Sequence, residues 1–280
     1  MRRLSSLTKK KQARILAGPY LLWCVAFTLI PLLMIFYYGF TTAKGVFTFQ
    51  NLALMAKPEN LKALGLALLL SLISTVLCLL LAYPLAMILT ALQVQEGSFV
   101  VLIFILPMWM NFLLRTMAWQ TLLEKNGIIN LILRFFGHDP LLIINTPYAI
   151  VLGMVYNFLP FMILPLYNVL SKMDKDVINA ALDLGAGKVQ TFLKVILPLS
   201  LPGIVSGITM VFIPSLTTFV ISDLLGGSKI LLIGNIIEQE FKQSNDWNAG
   251  SGLSLVLMIF ILLSMNVLNK YDSDNAGGVF

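Results

Sequence analysis

Charge is scarce in this 280-residue chain: Asp, Glu, Lys and Arg make up 11% of it, against 58% hydrophobic residues. A soluble domain carries roughly 25% charged residues, so a surface facing water on all sides is excluded. Histidine occurs once, as His138 beside Gly137, and reads as a solvated loop residue. The two cysteines, Cys24 and Cys78, lie apart inside apolar runs, where cysteine packs as a small hydrophobe. There is no His pair, Cys pair or intramembrane carboxylate dyad from which a metal site or a hydrolytic centre could be built. A membrane enzyme or assembly factor is disfavoured on that ground. The basic excess, net +6, is accounted for by membrane topology and anionic lipid headgroups rather than by nucleic acid.

Long apolar runs are what the chain does have. Residues 15–43, 63–92, 97–114, 140–171, 195–222 and 247–269 contain no Asp, Glu, Lys or Arg, and residues 116–123 extend the third run beyond the single Arg115. Each supplies the roughly 20 apolar residues of a spanning helix. The expectation is an all-α membrane protein of six transmembrane helices over residues 15–269, with a basic tail at 1–14 and a polar tail at 270–280. The first run is too long for the apolar core of a signal peptide and no small-x-small cleavage site follows it.

Orientation follows from Lys and Arg near the span ends. Arg2, Arg3, Lys9, Lys10, Lys11 and Arg14 crowd the N-terminal tail, which places it in the cytoplasm. Six spans return the C-terminus to the same side. Lys172, Lys175, Lys188, Lys194 and Lys270 then fall inside, while Lys44, Lys57, Lys62, Lys125, Arg134, Lys229 and Lys242 fall outside.

The connections are unequal. The turn at 93–96 is tight, whereas 171–194 is a long inner connection and 224–246 a long outer one. Long ordered loops in compact folds carry function. No internal repeat is evident, so an inverted-repeat secondary transporter gains no support. The inner insert, residues 172–198, reads as two short helices. Val177, Ala180, Ala181 and Leu184 recur at helical spacing, as do Val189, Phe192, Leu193 and Ile196. Asp174 suits an N-cap, Asp176 the first turn, and Gly185 a left-handed end, with Gly185-Ala186-Gly187 as the corner. On pattern alone, docking into a protein groove and lying on lipid headgroups are equally well served.

The stretch Met173–Ile204, MDKDVINAALDLGAGKVQTFLKVILPLSLPGI, closely resembles the spermidine/putrescine transporter permeases. Leu106–Arg115 is similar to the third-span motif of that group. Ser222–Gly227, Leu231–Asn235 and Asp246-Trp247 are similar to its outer loop. The resemblance covers residues 15–268 and points to the first of two related permease subunits. It implies a type I ATP-binding-cassette importer permease whose coupling insert seats in a cytoplasmic ATPase through Asn179, Ala180, Ala181, Asp183, Leu184 and Gly185. The implied partners are a dimer of ATP-binding subunits, a second permease and an extracytoplasmic polyamine-binding protein, in the inner membrane of a bacterium. ATP and Mg are expected on the partner, and no cofactor on this chain: it has no G-x-x-x-x-G-K-[ST] loop, and Gly187-Lys188-Val189 fails that pattern at both ends. Asn179 stands where the family usually has Glu, so a neutral hydrogen bond replaces a charge-assisted one.

A polyamine is a flexible cation, so its path should offer carboxylates and aromatic faces. Asp223, Glu124, Tyr156, Trp109, Trp119 and Phe219 are the candidates, with Asp223 expected at the outer end of the fifth span and Glu124 closing the third. Arg115 is expected to snorkel or to pair with Asp223. For Trp109 and Trp119 interface anchoring is the plain alternative. A permease for another solute is the nearest rival function. A stand-alone ion-gradient transporter is disfavoured by the insert.

Overall fold

The computed structural model describes residues 18–92, 106–227 and 229–276, with side chains of the last helix described as far as residue 267. The basic tail, the turn at 93–96 and the first part of the third apolar run lie outside the described residues. Among the described residues all regular structure is helical, apart from one isolated bridge between Thr41 and Phe47. The chain divides into two compact units, one of residues up to Lys57 with Gln239–Ile259, the other of Pro58–Glu238 with residues from Phe260 onward.

In the first unit, α1 (Gly18–Gly39) is an apolar helix with a π-helical turn at Val25–Leu29. It ends against the start of the last helix, α12 (Trp247–Ala276). The close approach depends on glycine: a Cβ at Gly39 would run into the Leu255 side chain of α12, and one at Gly252 would meet the Asn51 carbonyl oxygen at 2.5 Å. Asn51, in the short α2 (Gln50–Ala53), donates its amide to the carbonyls of Gly39 (3.2 Å) and Thr41 (2.8 Å). Asn248 donates to Tyr38 (3.0 Å) and Thr41 (2.6 Å). These side chains serve the carbonyls that a helix end leaves unpaired.

The second unit is built on three helices, α3 (Pro58–Ala91), α6 (Pro147–Ser171) and α9 (Leu201–Thr217), which pack on one another. Its buried stripe on α3 is made of small residues: Ala63, Ala67, Ser71, Ser74, Cys78, Ala82 and Ala86, spaced three or four apart. Small side chains let helix backbones approach where lipid supplies no hydrophobic drive between helices. The Ser74 hydroxyl accordingly reaches Met154 Sδ (3.4 Å) and the Cys78 thiol reaches the Val155 carbonyl (3.8 Å), both on α6. On α9, Gly203 and Gly207 make the same kind of contact. A Cβ at Gly203 would stand 3.0 Å from the Pro165 carbonyl oxygen, and one at Gly207 2.5 Å from Met162 Sδ. Shorter helices complete the unit: α4 (Phe112–Leu123), α5 (Ile128–Phe135), α7 (Lys175–Asp183), α8 (Lys188–Leu199), α10 (Val220–Gly226) and α11 (Ile233–Lys242), the last running on into the first unit.

Among the described residues, four helices are long and apolar enough to cross a membrane: Gly18–Gly39, Pro58–Ala91, Pro147–Ser171 and Trp247–Val267. The pair α8 and α9, bent by 63°, makes a fifth when counted as one span. Two of the six expected spans therefore differ from simple rods. The fifth apolar run is broken twice. Pro198 and Pro202 flank the bend at Ser200, where proline removes ladder donors. The helix then stops at Thr217, because Thr218 is extended (ψ 138°). Asp223 thus belongs to the separate helix α10 rather than to the end of the span. In the third run, residues 106–109 are helical, the chain breaks at Met110, and Asn111 starts α4 afresh by accepting from the backbone N–H of Leu113 (2.9 Å) and Leu114 (3.2 Å). The long connection at 224–246, expected on the outer side, is also more ordered than a loop, since α10 and α11 occupy most of it.

Candidate functional site

The insert forms the two arms expected from its spacing. Asp174 caps α7 by accepting from the Asp176 N–H (2.9 Å). At the other end Leu184 is the C-cap and Gly185 takes a left-handed conformation, φ +86°. Gly185 N–H bonds to the Leu182 carbonyl (2.9 Å) and Ala186 N–H to the Ala181 carbonyl (3.1 Å). That pair of bonds is the Schellman arrangement, which fixes where the second arm sets off.

The apolar side of α7 is not packed on the protein. Leu184 is 89% exposed, and Val177, Ala180 and Leu182 are exposed with it. Asn179 and Asp183 are exposed too, and Ala181 is half-buried. Between the arms lies a hollow of about 330 Å³ lined by Ala181, Leu184, Gly185, Ala186, Gln190, Thr191, Lys194 and Val195. The second arm departs from the expected helical face. Phe192 and Ile196 of that face are half-buried, but Val189 and Leu193 are exposed and Thr191 is buried, and the middle turn, Phe192–Ile196, is π-helical. An extra residue per turn shifts the register, and the apolar spacing alone does not reveal it.

In the motif expected on the outer side, the buried organising residue is Asn235, 1% exposed at the start of α11. Its amide donates to Asp223 Oδ1 (2.7 Å) and to the Phe219 carbonyl (3.1 Å). Its carbonyl oxygen accepts from the Ser222 hydroxyl (2.5 Å) and the Leu232 N–H (3.0 Å). All four polar capacities of the side chain are used. Gly234 permits this arrangement, since a Cβ there would meet the Thr217 carbonyl oxygen at 2.7 Å, at the break that ends α9. Two of the candidate path residues, Asp223 and Phe219, are therefore brought together by a residue that charge and aromatic criteria pass over. The available signal was a polar Asn within the apolar Leu231–Asn235 stretch.

A second cluster sits where α4 meets α6. The Trp119 and Tyr156 rings meet edge-on, 5.1 Å between centroids, and the Arg115 guanidinium lies 5.8 Å from the Tyr156 centroid. Arg115 is 6% exposed, and its Nη1 donates to the Pro107 carbonyl, back across the break at Met110. This corrects the snorkelling expectation. The cation is buried and braces an interrupted helix, its charge shared with an aromatic face. The adjoining Asn157 amide donates to the Gly153 carbonyl (2.8 Å) and to Thr116 Oγ1 (3.4 Å). Helix α10, which carries Asp223, packs on both α6 and α4. A Cβ at Gly153 would reach Ile221 Cγ2 at 3.0 Å, so α10 sits tightly on α6.

Glu124 and Trp109 stand apart from both clusters. Glu124 is the exposed C-cap of α4, and its backbone carbonyl, not its carboxylate, is held by Asn130 (2.9 Å). Trp109 is 80% exposed, which fits the anchoring alternative. Cys24 is half-buried and Cys78 fully buried, both as free thiols.

Residues 11–271 match the family described as binding-protein-dependent transport system inner membrane component. The spermidine/putrescine transport system permease protein PotB of Salmonella typhimurium (strain SL1344) is 39% identical over 267 residues, 90% of this chain and 93% of that protein. The protein of the same name from Escherichia coli (strain K12) is 39% identical over 253 residues, 88% of this chain and 92% of its own length. Among solved structures, a bacterial ABC transporter involved in the import of the acidic polysaccharide alginate superposes with a TM-score of 0.76 at 16% identity, covering 100% of both chains. At that identity the likeness speaks for the fold alone.

Proposed function

Because the chain belongs to the family of binding-protein-dependent transport system inner membrane components, we propose that it is a permease subunit of an ATP-driven importer of spermidine and putrescine. The observation that carries the transport reading is the exposed, Schellman-capped arm α7, with Leu184 and its neighbours uncovered. A membrane subunit driven by a separate ATPase needs such a surface to receive work from it. The polyamine assignment is supported by the relatives' names at 39% identity over about nine-tenths of the chain.

In this reading the chain makes six passes, the interrupted third run and the bent fifth run each counting as one, with both termini in the cytoplasm of an inner membrane. The insert seats in one subunit of an ATPase dimer, which binds ATP and Mg. A second, related permease forms the other half of the path, and an extracytoplasmic binding protein delivers the substrate. Closure of the ATPase pulls α7. The corner at Gly185 fixes the angle of the second arm, and the bend at Ser200 passes the displacement to α9. Helix α9 cannot move alone, because Gly203 and Gly207 lock it closely to α6. At the outer end α10 rides on α6 and α4 and carries Asp223, whose carboxylate receives an arriving ammonium while Phe219, Trp119 and Tyr156 offer aromatic faces.

Uptake by cells of labelled spermidine, putrescine and an unrelated amino acid, with and without the chain, tests the proposal. Polyamine uptake that requires both the chain and a co-expressed ATPase is expected. Accumulation of the amino acid alone would assign the permease to another solute, and uptake without an ATPase would make it an ion-gradient carrier.

A further inference from the structure

We infer that Tyr83 is a positioning residue that fastens α3 to the bend between the insert and α9, so that movement of the insert reaches two helices at once. The inference rests on the coupling role proposed for the insert. Tyr83 is buried on α3, and its hydroxyl stands 2.8 Å from Ser200 Oγ, 117 residues away in sequence. Counting hydrogens gives the direction. Ser200 donates its own proton to the Leu197 carbonyl (2.9 Å), so the tyrosine hydroxyl donates to Ser200 Oγ. The Tyr83 ring also meets Phe192 edge-on, 5.6 Å between centroids at 90°.

Phe192 and Ser200 are not arbitrary positions. Phe192 opens the π-helical turn, and Ser200 is the residue at the 63° bend. One side chain therefore holds both ends of the irregular part of the second arm. A π turn and a proline-flanked bend are the places where a helix redirects most easily. Left unfastened, that segment would flex and absorb the displacement it should transmit. Being buried, the hydrogen bond has no water to replace it when it is lost.

The test uses the complete transporter in vesicles, with its ATPase, second permease and binding protein. Tyr83→Phe keeps the ring and its contact with Phe192 and removes only the hydroxyl; Ser200→Ala removes the acceptor. The readout is labelled spermidine moved per ATP hydrolysed. A drop of about fivefold is expected, the factor carried by one neutral buried hydrogen bond, with protein level and ATPase copurification unchanged. The double variant should be no worse than the worse single one. Transport and hydrolysis falling in parallel, at an unchanged ratio, would make Tyr83 a packing residue and overturn the inference. A second arm needs no substrate: amide exchange over residues 83–91 is compared in nucleotide-free and ATP-trapped complexes. The wild type should show a nucleotide-dependent difference that Tyr83→Phe abolishes. Equal differences in both, or none in the wild type, would overturn the inference. Absence of spermidine transport by the wild type would overturn the polyamine assignment and leave the exchange comparison to decide on Tyr83. Failure of the ATPase to copurify would remove the coupling role and this inference with it.

Discussion

Replacing Gly185 tests the insert at its most constrained point. The residue has φ +86°, and a Cβ built on it meets nothing within 4 Å, so steric contact contributes nothing to the cost of a side chain. What remains is the intrinsic penalty of a left-handed conformation, about 1–2 kcal/mol for an ordinary L-residue and higher for a β-branched one. About 1.4 kcal/mol is a tenfold change in an equilibrium, so Gly185→Val should cut the population of the native corner by roughly tenfold or more. The two bonds from Gly185 and Ala186 to the carbonyls of Leu182 and Ala181 would be lost with it, and the second arm would leave in another direction. The corner is exposed and none of the core depends on it. Membrane insertion and protein level should therefore hold while ATPase copurification and uptake fall together. Gly185→Asn should behave almost as the wild type, because Asn tolerates the left-handed region. Normal copurification and uptake in Gly185→Val would refute the reasoning. An equal defect in the Asn and Val variants would show that the partner rejects any side chain there, whatever the backbone angle.

Asn179 is exposed on α7, so Asn179→Glu costs the fold nothing and should keep or strengthen ATPase association by restoring a charge-assisted contact; weaker association in a normally folded variant would show a groove unlike the family's. Asp223→Asn keeps an oxygen for Asn235 and removes the charge, so uptake should fall at unchanged protein level, more for spermidine than for putrescine. Because Arg115 is engaged by Pro107 and Tyr156, adding Arg115→Gln should not restore uptake; full recovery would instead make Asp223 the structural partner of that arginine. Asn235→Ala withdraws one side chain from four polar contacts, at about 1–3 kcal/mol for each buried group left unpaired, and should lower the melting temperature in detergent; an unchanged melting temperature would count against its organising role.

The sequence makes the uninterrupted helices legible, because a run without charge is the direct signature of a lipid-exposed segment. Gly18–Gly39, Pro58–Ala91, Pro147–Ser171 and Trp247–Val267 all fall within or around such runs. The same signature is blind to breaks. Met110 and Thr218 are neutral residues, and nothing in hydropathy distinguishes a broken run from a straight one; the bend at Ser200 is signalled instead by Pro198 and Pro202, which interrupt the path into the fifth span. Asn111 was a readable clue, being an N-cap residue in the middle of a span. On the insert, local chemistry was sufficient: Asp174 and Gly185 act through their own backbone neighbours, so their roles are written in a few adjacent residues. Tyr83 with Ser200, and Asp223 with Asn235, join positions far apart in sequence, and only the fold brings them together. The contact of Arg115 with Tyr156 likewise joins two helices, and the sequence alone does not reveal it.

The most direct test of the central claim is transport by purified components. The chain is reconstituted into vesicles with its copurified ATPase, second permease and binding protein, and labelled spermidine is followed with ATP supplied on the ATPase side. Accumulation that requires ATP and the binding protein, is suppressed by putrescine and is indifferent to an unrelated amino acid is the predicted result. Vesicles that hydrolyse ATP in response to the binding protein yet accumulate no polyamine would contradict the account.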